Sequence, residues 1–323
     1  MSAAAGQRVL VLGATGTAGR AAVAALLARG HAVTCFVRPG SAARVPEGAT
    51  VRTGEIAEPD ALRRDGIGEE RFDVLLSCMA SRTGAPRDAW AIDHQAHLTA
   101  LEAARSAGIE HVVLLSAICV QKPRLAFQHA KLAFEEALIA SGLRYSIVRP
   151  TALFKSLSGQ VERVRRGKPY LLFGDGQLTA CKPISDRDLG AYLADCIDDP
   201  TRWNRVLPIG GPGPAITPRD QGKRLFALLG QAPRFRSVPV ALFSGAARAL
   251  ALGGHLLPRL AEKAEFARIA HYYATESMLA LDPQTGRYDP DLTPSTGHDT
   301  LFDFYAQLIA GAEAPDRGDH ALF

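Results

Sequence analysis

The chain has no large excess of either charge: 37 Lys and Arg against 33 Asp and Glu leave a net +4 over 323 residues, and the basic side chains are scattered among acids. A nucleic-acid surface or a polybasic membrane anchor needs a block of like charge, so no nucleic-acid partner is expected. Cysteine is scarce and unpatterned. Cys35, Cys78, Cys119, Cys181 and Cys196 are odd in number and show neither Cys-x-x-Cys nor Cys/His spacing. That argues against a disulfide framework and against a metal site, and a reducing cytoplasm is the expected compartment. Met1 to Arg8 leaves too little chain before the first strand for a signal or transit peptide. The apolar run from Val238 to Leu260 is broken by Arg248, Gly253, Gly254, His255 and Pro258. It reads as a core helix and not as a clean membrane span, with peripheral membrane contact left open. Internal repeats and low-complexity stretches are missing too.

What is present is material for a core. At this length, 47% apolar residues suffice for one large α/β domain or two smaller lobes. Buried-strand patterns at Arg8 to Leu12, Ala32 to Val37, Phe72 to Ser77, His111 to Ser116 and Tyr145 to Val148 alternate with amphipathic segments. That alternation predicts right-handed βαβ units and a doubly wound parallel sheet covered on both faces. After Arg149-Pro150-Thr151 the rhythm changes: Gly and Pro become frequent, Pro169 to Phe173 precedes Gly174-Asp175-Gly176, and Arg205 to Ile209 offers a later strand. The expected organisation is a cofactor-binding core over 7–152 to which 203–212 returns. A smaller interleaved substrate-binding lobe of 153–202 and 213–311 and a loose tail, 312–323, complete it.

Gly13-Ala14-Thr15-Gly16-Thr17-Ala18-Gly19 follows the strand Val9 to Leu12 directly and opens the helix Arg20 to Arg29. Between strand and helix, glycines permit a tight turn and let backbone N–H groups approach a pyrophosphate at the positive helix end, while Gly19 permits close helix–strand packing. Gly13, Thr15, Gly16, Thr17 and Gly19 are therefore the expected dinucleotide cradle of a Rossmann-like core. The second strand ends at Arg38, where an NAD site would carry an acid for the ribose hydroxyls. A guanidinium forks onto a phosphate that a carboxylate would repel, so NADPH is the expected cofactor, with Arg20 and Arg44 as possible helpers and Glu55, after the third strand, near the adenine.

Ser116 ends the strand Val112 to Leu115 and is placed to face the nicotinamide, because open parallel sheets bind beyond their strand C-termini. In the following helix Phe127 and Lys131 stand at i and i+4, on one face. Phe127-Gln128-His129-Ala130-Lys131 looks like a short-chain reductase segment in which Tyr-x-x-x-Lys has kept its lysine and lost its tyrosine. A phenol there moves the proton of an alcohol or carbonyl oxygen; Phe127 has no ionisable atom, which disfavours ordinary alcohol dehydrogenation. Lys131 could hold the nicotinamide ribose and assist catalysis. Cys119 and His129 are weaker proton-donor candidates, since such a cysteine is usually packing and a helix histidine usually surface. Lys155 follows the sixth strand into the lobe, where it could pair with a substrate carboxylate beside an apolar wall of Leu153, Phe154, Leu157, Tyr170 and Phe173. Asp186 and Asp188 read as a helix start rather than as catalytic groups.

Leu114-Leu115-Ser116-Ala117-Ile118-Cys119-Val120-Gln121-Lys122-Pro123 is the most specific of several ordered segments that carry a resemblance. Others are Tyr145-Ser146-Ile147-Val148-Arg149-Pro150-Thr151, Ala180-Cys181-Lys182-Pro183-Ile184-Ser185 and Tyr272-Tyr273-Ala274-Thr275-Glu276-Ser277-Met278-Leu279. Through these the chain, from about Arg8 to Ile309, resembles the NADPH-dependent 3,8-divinyl (proto)chlorophyllide a 8-vinyl reductases, an atypical branch of the short-chain dehydrogenase/reductase superfamily. Those enzymes share Phe127 in place of tyrosine.

The resemblance implies reduction of the C8 vinyl group of a magnesium tetrapyrrole to ethyl in chlorophyll or bacteriochlorophyll biosynthesis, with divinyl chlorophyllide or protochlorophyllide as substrate. The plant members' chloroplast leader has no counterpart here, so a photosynthetic bacterium is the expected source. A conjugated vinyl group can accept hydride at its terminal carbon while the charge left behind spreads into the ring, and no oxyanion then needs a phenol. Phe127, Phe154 and Lys155 are the expected substrate contacts, and Ser116 and Lys131 the expected catalytic pair. Two other readings are weighed: a non-catalytic NADP-sensing regulator on the same fold, and an alkene reductase acting on another conjugated substrate.

Overall fold

The computed structural model describes residues 6–58, 60–241 and 258–313, with the side chains of 258–262 excepted. β1 (Arg8–Leu12), β2 (Ala32–Val37), β3 (Thr50–Thr53), β4 (Val74–Ser77), β5 (His111–Leu115) and β6 (Arg144–Pro150) alternate with helical segments. β7 (Tyr170–Phe173) leaves the sheet, and β8 (Arg205–Ile209) returns to it. The seven-stranded parallel sheet has the order β3-β2-β1-β4-β5-β6-β8. Because side chains alternate along a strand, β1 sends Val9 and Val11 to one face and Leu10 and Leu12 to the other. On the first face lie α1 (Thr17–Ala28) and, much later in the chain, α7 (Asp186–Asp198), pressed together closely enough that a Cβ on Gly190 would lie 2.5 Å from the Ala21 backbone. On the second, α2 (Pro86–Ala89), a π-helical stretch Trp90–Ala96 and α3 (His97–Ser106) run consecutively beside α4 (Ala126–Ala140).

The lobe begins with the short helices α5 (Phe154–Leu157) and α6 (Val161–Arg165). β7 pairs in parallel with β9 (Phe235–Val238), and α8 (Pro218–Leu228) lies between them in the chain. Its core, including Phe154, Tyr170, Phe226 and Tyr305, also takes in the helix Leu301–Ile309. The remaining helix, α9 (Pro258–Thr275), packs Ile269 and Tyr272 against Cys119 beyond the end of β5, and α10 denotes Leu301–Ile309. β10 (Ala280–Leu281) and β11 (Tyr288–Asp289) form an antiparallel ribbon.

The strand bounds shift where side chains act. β4 starts at Val74 rather than Phe72 because the Asp73 carboxylate takes the Arg8 N–H at 2.8 Å and its guanidinium at 2.7 Å. β6 runs on to Pro150 because β8 pairs with it through Ile209. β3 lies on the edge with Val51 exposed, so its sequence carries no apolar alternation. Most of the apolar run at Val238 to Leu260, through residues 242–257, and the tail from 314 on lie outside the described residues. Among the described residues no helix is long and apolar enough to cross a membrane.

Two buried imidazoles tie helix and strands together. His97 joins the Ser77 hydroxyl at 2.9 Å, and His111 the Ser146 hydroxyl at 3.1 Å. Burial, aided by the charge of Lys131, pulls His97 down to about 4, and burial with Arg144 does the same to His111. A depressed folded value means that the unfolded chain takes up protons first. Stability is therefore full above about 6.5 and lost as pH falls towards about 4, by roughly 3 kcal/mol per histidine. Urea midpoints across that window should fall steeply, and less so in His111→Gln; a flat profile would show that both rings accept protons in the fold.

Candidate functional site

The glycine turn between β1 and α1 is shaped by close contacts. Gly13 has φ +74° and would drive a Cβ to 2.5 Å from the Cys78 backbone; on Gly19 a Cβ would lie 2.1 Å from the Gly13 oxygen. Gly16 differs, since its Cβ would meet only that oxygen at 3.6 Å, an ordinary contact. Internal packing does not explain Gly16, whereas a ligand against its backbone does. Gly16 caps α1 without a side-chain hydrogen bond, and the first turn holds no acid. Unmet N–H groups at a positive helix end suit a pyrophosphate, so the residues present fit a dinucleotide. Thr15 lies within the turn, and Thr17 Oγ1 accepts a hydrogen bond from Lys155 Nζ at 2.5 Å. Burial raises the Asp186 carboxyl against the opposing pull of Lys155 and Arg20, which places these three charges together. Arg38 stands exposed just past β2, Arg44 sits in the turn Ala42–Arg44, and Glu55 is exposed after β3.

Beyond the C-terminal ends of β4, β5 and β6, between sheet and lobe, lies a cavity of ≈ 480 Å³. Phe127, Leu153, Leu157, Tyr170, Phe173 and Met278 give it a mainly apolar wall, and Ser116, Cys119, Lys131 and Tyr273 bring polar atoms to it. Lys131 Nζ pairs at 2.9 Å with Asp93, whose side chain is 0% exposed against 11% for the lysine. Asp93 comes from the π-helical stretch, an irregularity that often marks a functional position, and also accepts the Ser81 N–H at 3.2 Å. An ammonium has three donors, so one bond to Asp93 aims the amine and leaves others for a ligand. Ser116 donates to Glu135 at 2.5 Å, and Arg149 pairs with the same carboxylate. Burial pushes the Cys119 thiol up.

Two expectations change, those for Lys155 and Phe154, while His129 stands on the surface as a helix histidine usually does. Lys155, on α5, points to Thr17 in the glycine turn and not to the cavity wall. Phe154 is turned into the lobe core against Phe304, ring centroids 5.6 Å apart, and is not a wall residue. His129 is exposed on α4 and does not line the cavity. Ser116, Phe127 and Lys131 are brought together as expected, and Asp186 does begin α7 behind the cap Ser185. Asp93, Glu135 and Tyr273 were not among the expected residues. Glu135 stands four residues after Lys131, a spacing that could have found it; Asp93 had no local signal.

A second hollow, at the opposite end of the sheet, is lined by groups already engaged with each other, among them Arg8 with Asp73 and Arg144 over the Trp203 ring. Open parallel sheets bind at their C-terminal ends, which favours the first cavity.

Residues 13–200 match a family described as NAD(P)H-binding. The chain is 48% identical to a chloroplastic divinyl chlorophyllide a 8-vinyl-reductase of Oryza sativa subsp. indica, the alignment covering 98% of this chain and 82% of that protein. The corresponding Arabidopsis thaliana protein is 47% identical, over 93% of this chain and 76% of its own. Among solved structures, the NADPH-dependent quinone oxidoreductase of Escherichia coli in complex with NADPH superposes with a TM-score of 0.67 at 20% identity, covering 93% of this chain and 99% of the other. The Vitis vinifera leucoanthocyanidin reductase with NADPH gives 0.68 at 17% identity, covering 94% and 99%. At such identities the two structures speak for the fold alone. The relatives at 47–48%, aligned through sheet and lobe alike, decide the rest: the chain belongs to the divinyl chlorophyllide a 8-vinyl-reductase family, on an NAD(P)H-binding fold.

Proposed function

We propose that this protein reduces the C8 vinyl group of divinyl chlorophyllide a to ethyl with NADPH. The observation that carries the reading is that the family likeness extends over 98% of the chain and so includes the lobe that walls the cavity. In this reading 7–152 with 203–212 holds the dinucleotide, while 153–202 and 213–311 shape the pigment site. When bound, the nicotinamide supplies hydride. Gly13, Gly16 and Gly19 with Thr15 and Thr17 seat the pyrophosphate, and Lys155 adds a cation to that seat. Lys131, aimed by Asp93, orients the nicotinamide ribose. Ser116 fixes the end of β5 through Glu135 and Arg149, and Phe127 keeps water from the reacting carbons. The magnesium tetrapyrrole is the sole partner the reading requires.

Anaerobic incubation with NADPH and divinyl chlorophyllide, followed by mass measurement of the pigment, tests the reading; an unchanged pigment mass would refute it. The cofactor assignment has its own test in a pair of variants. Arg38 faces solvent without a carboxylate partner among the described residues, available to a 2′-phosphate. Arg38→Ala should weaken NADPH by roughly 1–3 kcal/mol and leave NADH nearly unchanged. Lys155→Ala should instead weaken both dinucleotides alike and leave the KM for pigment unaltered, because its amine lies on the turn shared by both. Equal losses of the two cofactors in Arg38→Ala would rule out its role at the phosphate.

A further inference from the structure

Loss of the tyrosine at position 127 leaves the reaction without an evident acid, and the groups near the cavity can be sorted by what already binds them. The Lys131 amine, aimed by Asp93, is committed in this reading to the nicotinamide ribose, and the Ser116 hydroxyl is spent on a carboxylate that Arg149 also grips. Cys119 is only 3% exposed, and His129 lies outside the cavity. Tyr273 has no ionic partner among the described residues and keeps exposed surface at the cavity. It lines the cavity, is 39% exposed, and its hydroxyl lies against the Cys119 thiol. Its helix faces the position that lost the phenol: Ile269, one turn earlier on α9 and hence on the same face, clusters with Phe127, Cys119 and Met278. A phenol thus enters from α9 on the side where α4 presents only a phenyl ring. A phenol keeps its proton at neutral pH, and desolvation of its hydroxyl, with Cys119 and Tyr272 beside it, pushes its pKa further up.

We infer that Tyr273 is the proton donor of the vinyl reduction, an assignment that rests on the reading given under Proposed function. Hydride from NADPH forms a C–H bond at the terminal vinyl carbon and NADPH becomes NADP⁺. The π pair of the vinyl group moves to the inner carbon and into the macrocycle. The Tyr273 O–H bond breaks as its proton forms the second C–H bond at that inner carbon, and solvent returns a proton to the phenolate before the next turnover.

The test uses the full-length protein with NADPH and divinyl chlorophyllide. Tyr273→Phe keeps the ring and removes only the hydroxyl. It should lower kcat by about 100-fold or more, the range for a lost general acid, with the dissociation constants of NADPH and pigment, read by fluorescence quenching, within about twofold of the unaltered protein. In Tyr273→Ala, p-cresol should restore turnover and toluene, of equal shape, should not. A Tyr273→Phe rate within about threefold of the unaltered protein, or equal rescue by toluene, would overturn the assignment. A large loss in Cys119→Ala alone would overturn it in favour of the thiol. Failure of the parent reading is visible separately, as unaltered protein that binds NADPH and leaves the pigment unreduced, and it would overturn the assignment as well.

Discussion

Gly16→Ala should fold as well as the unaltered protein and yet bind NADPH about 10- to 100-fold more weakly, whereas Gly19→Ala should lose both binding and stability. The two glycines stand three residues apart in one turn, and their surroundings separate them. A methyl at Gly19 would sit 2.1 Å from the Gly13 oxygen and 2.8 Å from its carbonyl carbon. Backbone cannot swing aside as a side chain can, so α1 would have to back away from β1, against the packing of Ala18, Ala22 and Val23 in the core. A methyl at Gly16 meets nothing closer than 3.6 Å, and its φ of −75° suits any residue. What that methyl would meet is the ligand. The loss expected there, roughly 1.5–3 kcal/mol, is that of charge-assisted hydrogen bonds from the helix start. Thermal unfolding and isothermal titration of both variants check the pair. Wild-type affinity in Gly16→Ala would mean that no phosphate approaches this backbone.

The same turn shows how much of the molecule its sequence makes legible. Glycine spacing between an apolar strand and an amphipathic helix is a local signal, because tight turns and helix starts are local events. β1, β2 and β8 have the bounds their apolar runs predict. Edge strand β3, with Val51 exposed, has no such signature. Side-chain direction is legible only where one element fixes it, as with Phe127 and Lys131 on one helical face. Lys155 and Phe154 are adjacent in sequence, and α5 turns one to the glycine turn and the other into the lobe core. That outcome depends on how lobe and sheet dock, which adjacent residues do not encode. Asp93 was illegible for a similar reason: the π-helical stretch Trp90–Ala96 shifts the helical phase and brings the carboxylate to Lys131, 38 positions away. Tyr273 lies in a segment that carries the family resemblance, but only the packing of α9 against Cys119 and Phe127 gives it a place in the site.

Lys131→Ala should destabilise the fold by about 3–5 kcal/mol as well as abolish most turnover, and the two effects can be separated. The lysine pairs with Oδ1 of a carboxylate that has no exposed surface and whose Oδ2 has no hydrogen-bond partner. Removing one member of a buried pair leaves an uncompensated charge, which costs far more than the intact pair contributes. Turnover lost in Lys131→Ala alone would therefore be ambiguous between a damaged fold and a missing ribose contact. Adding Asp93→Asn resolves it. The amide keeps the shape and can still accept the Ser81 N–H, yet carries no charge to strand. Lys131→Ala with Asp93→Asn should recover most of the lost stability in urea titration while NADPH affinity and kcat stay low, because the amine that orients the ribose is still missing. Asp93→Asn alone should cost less than Lys131→Ala in stability, since the ammonium lines the cavity and keeps some exposed surface, and so can be hydrated where the carboxylate cannot. Recovery of both stability and turnover in the double variant would show that Lys131 serves only to neutralise Asp93, and would return the positioning of the cofactor to the glycine turn and Lys155.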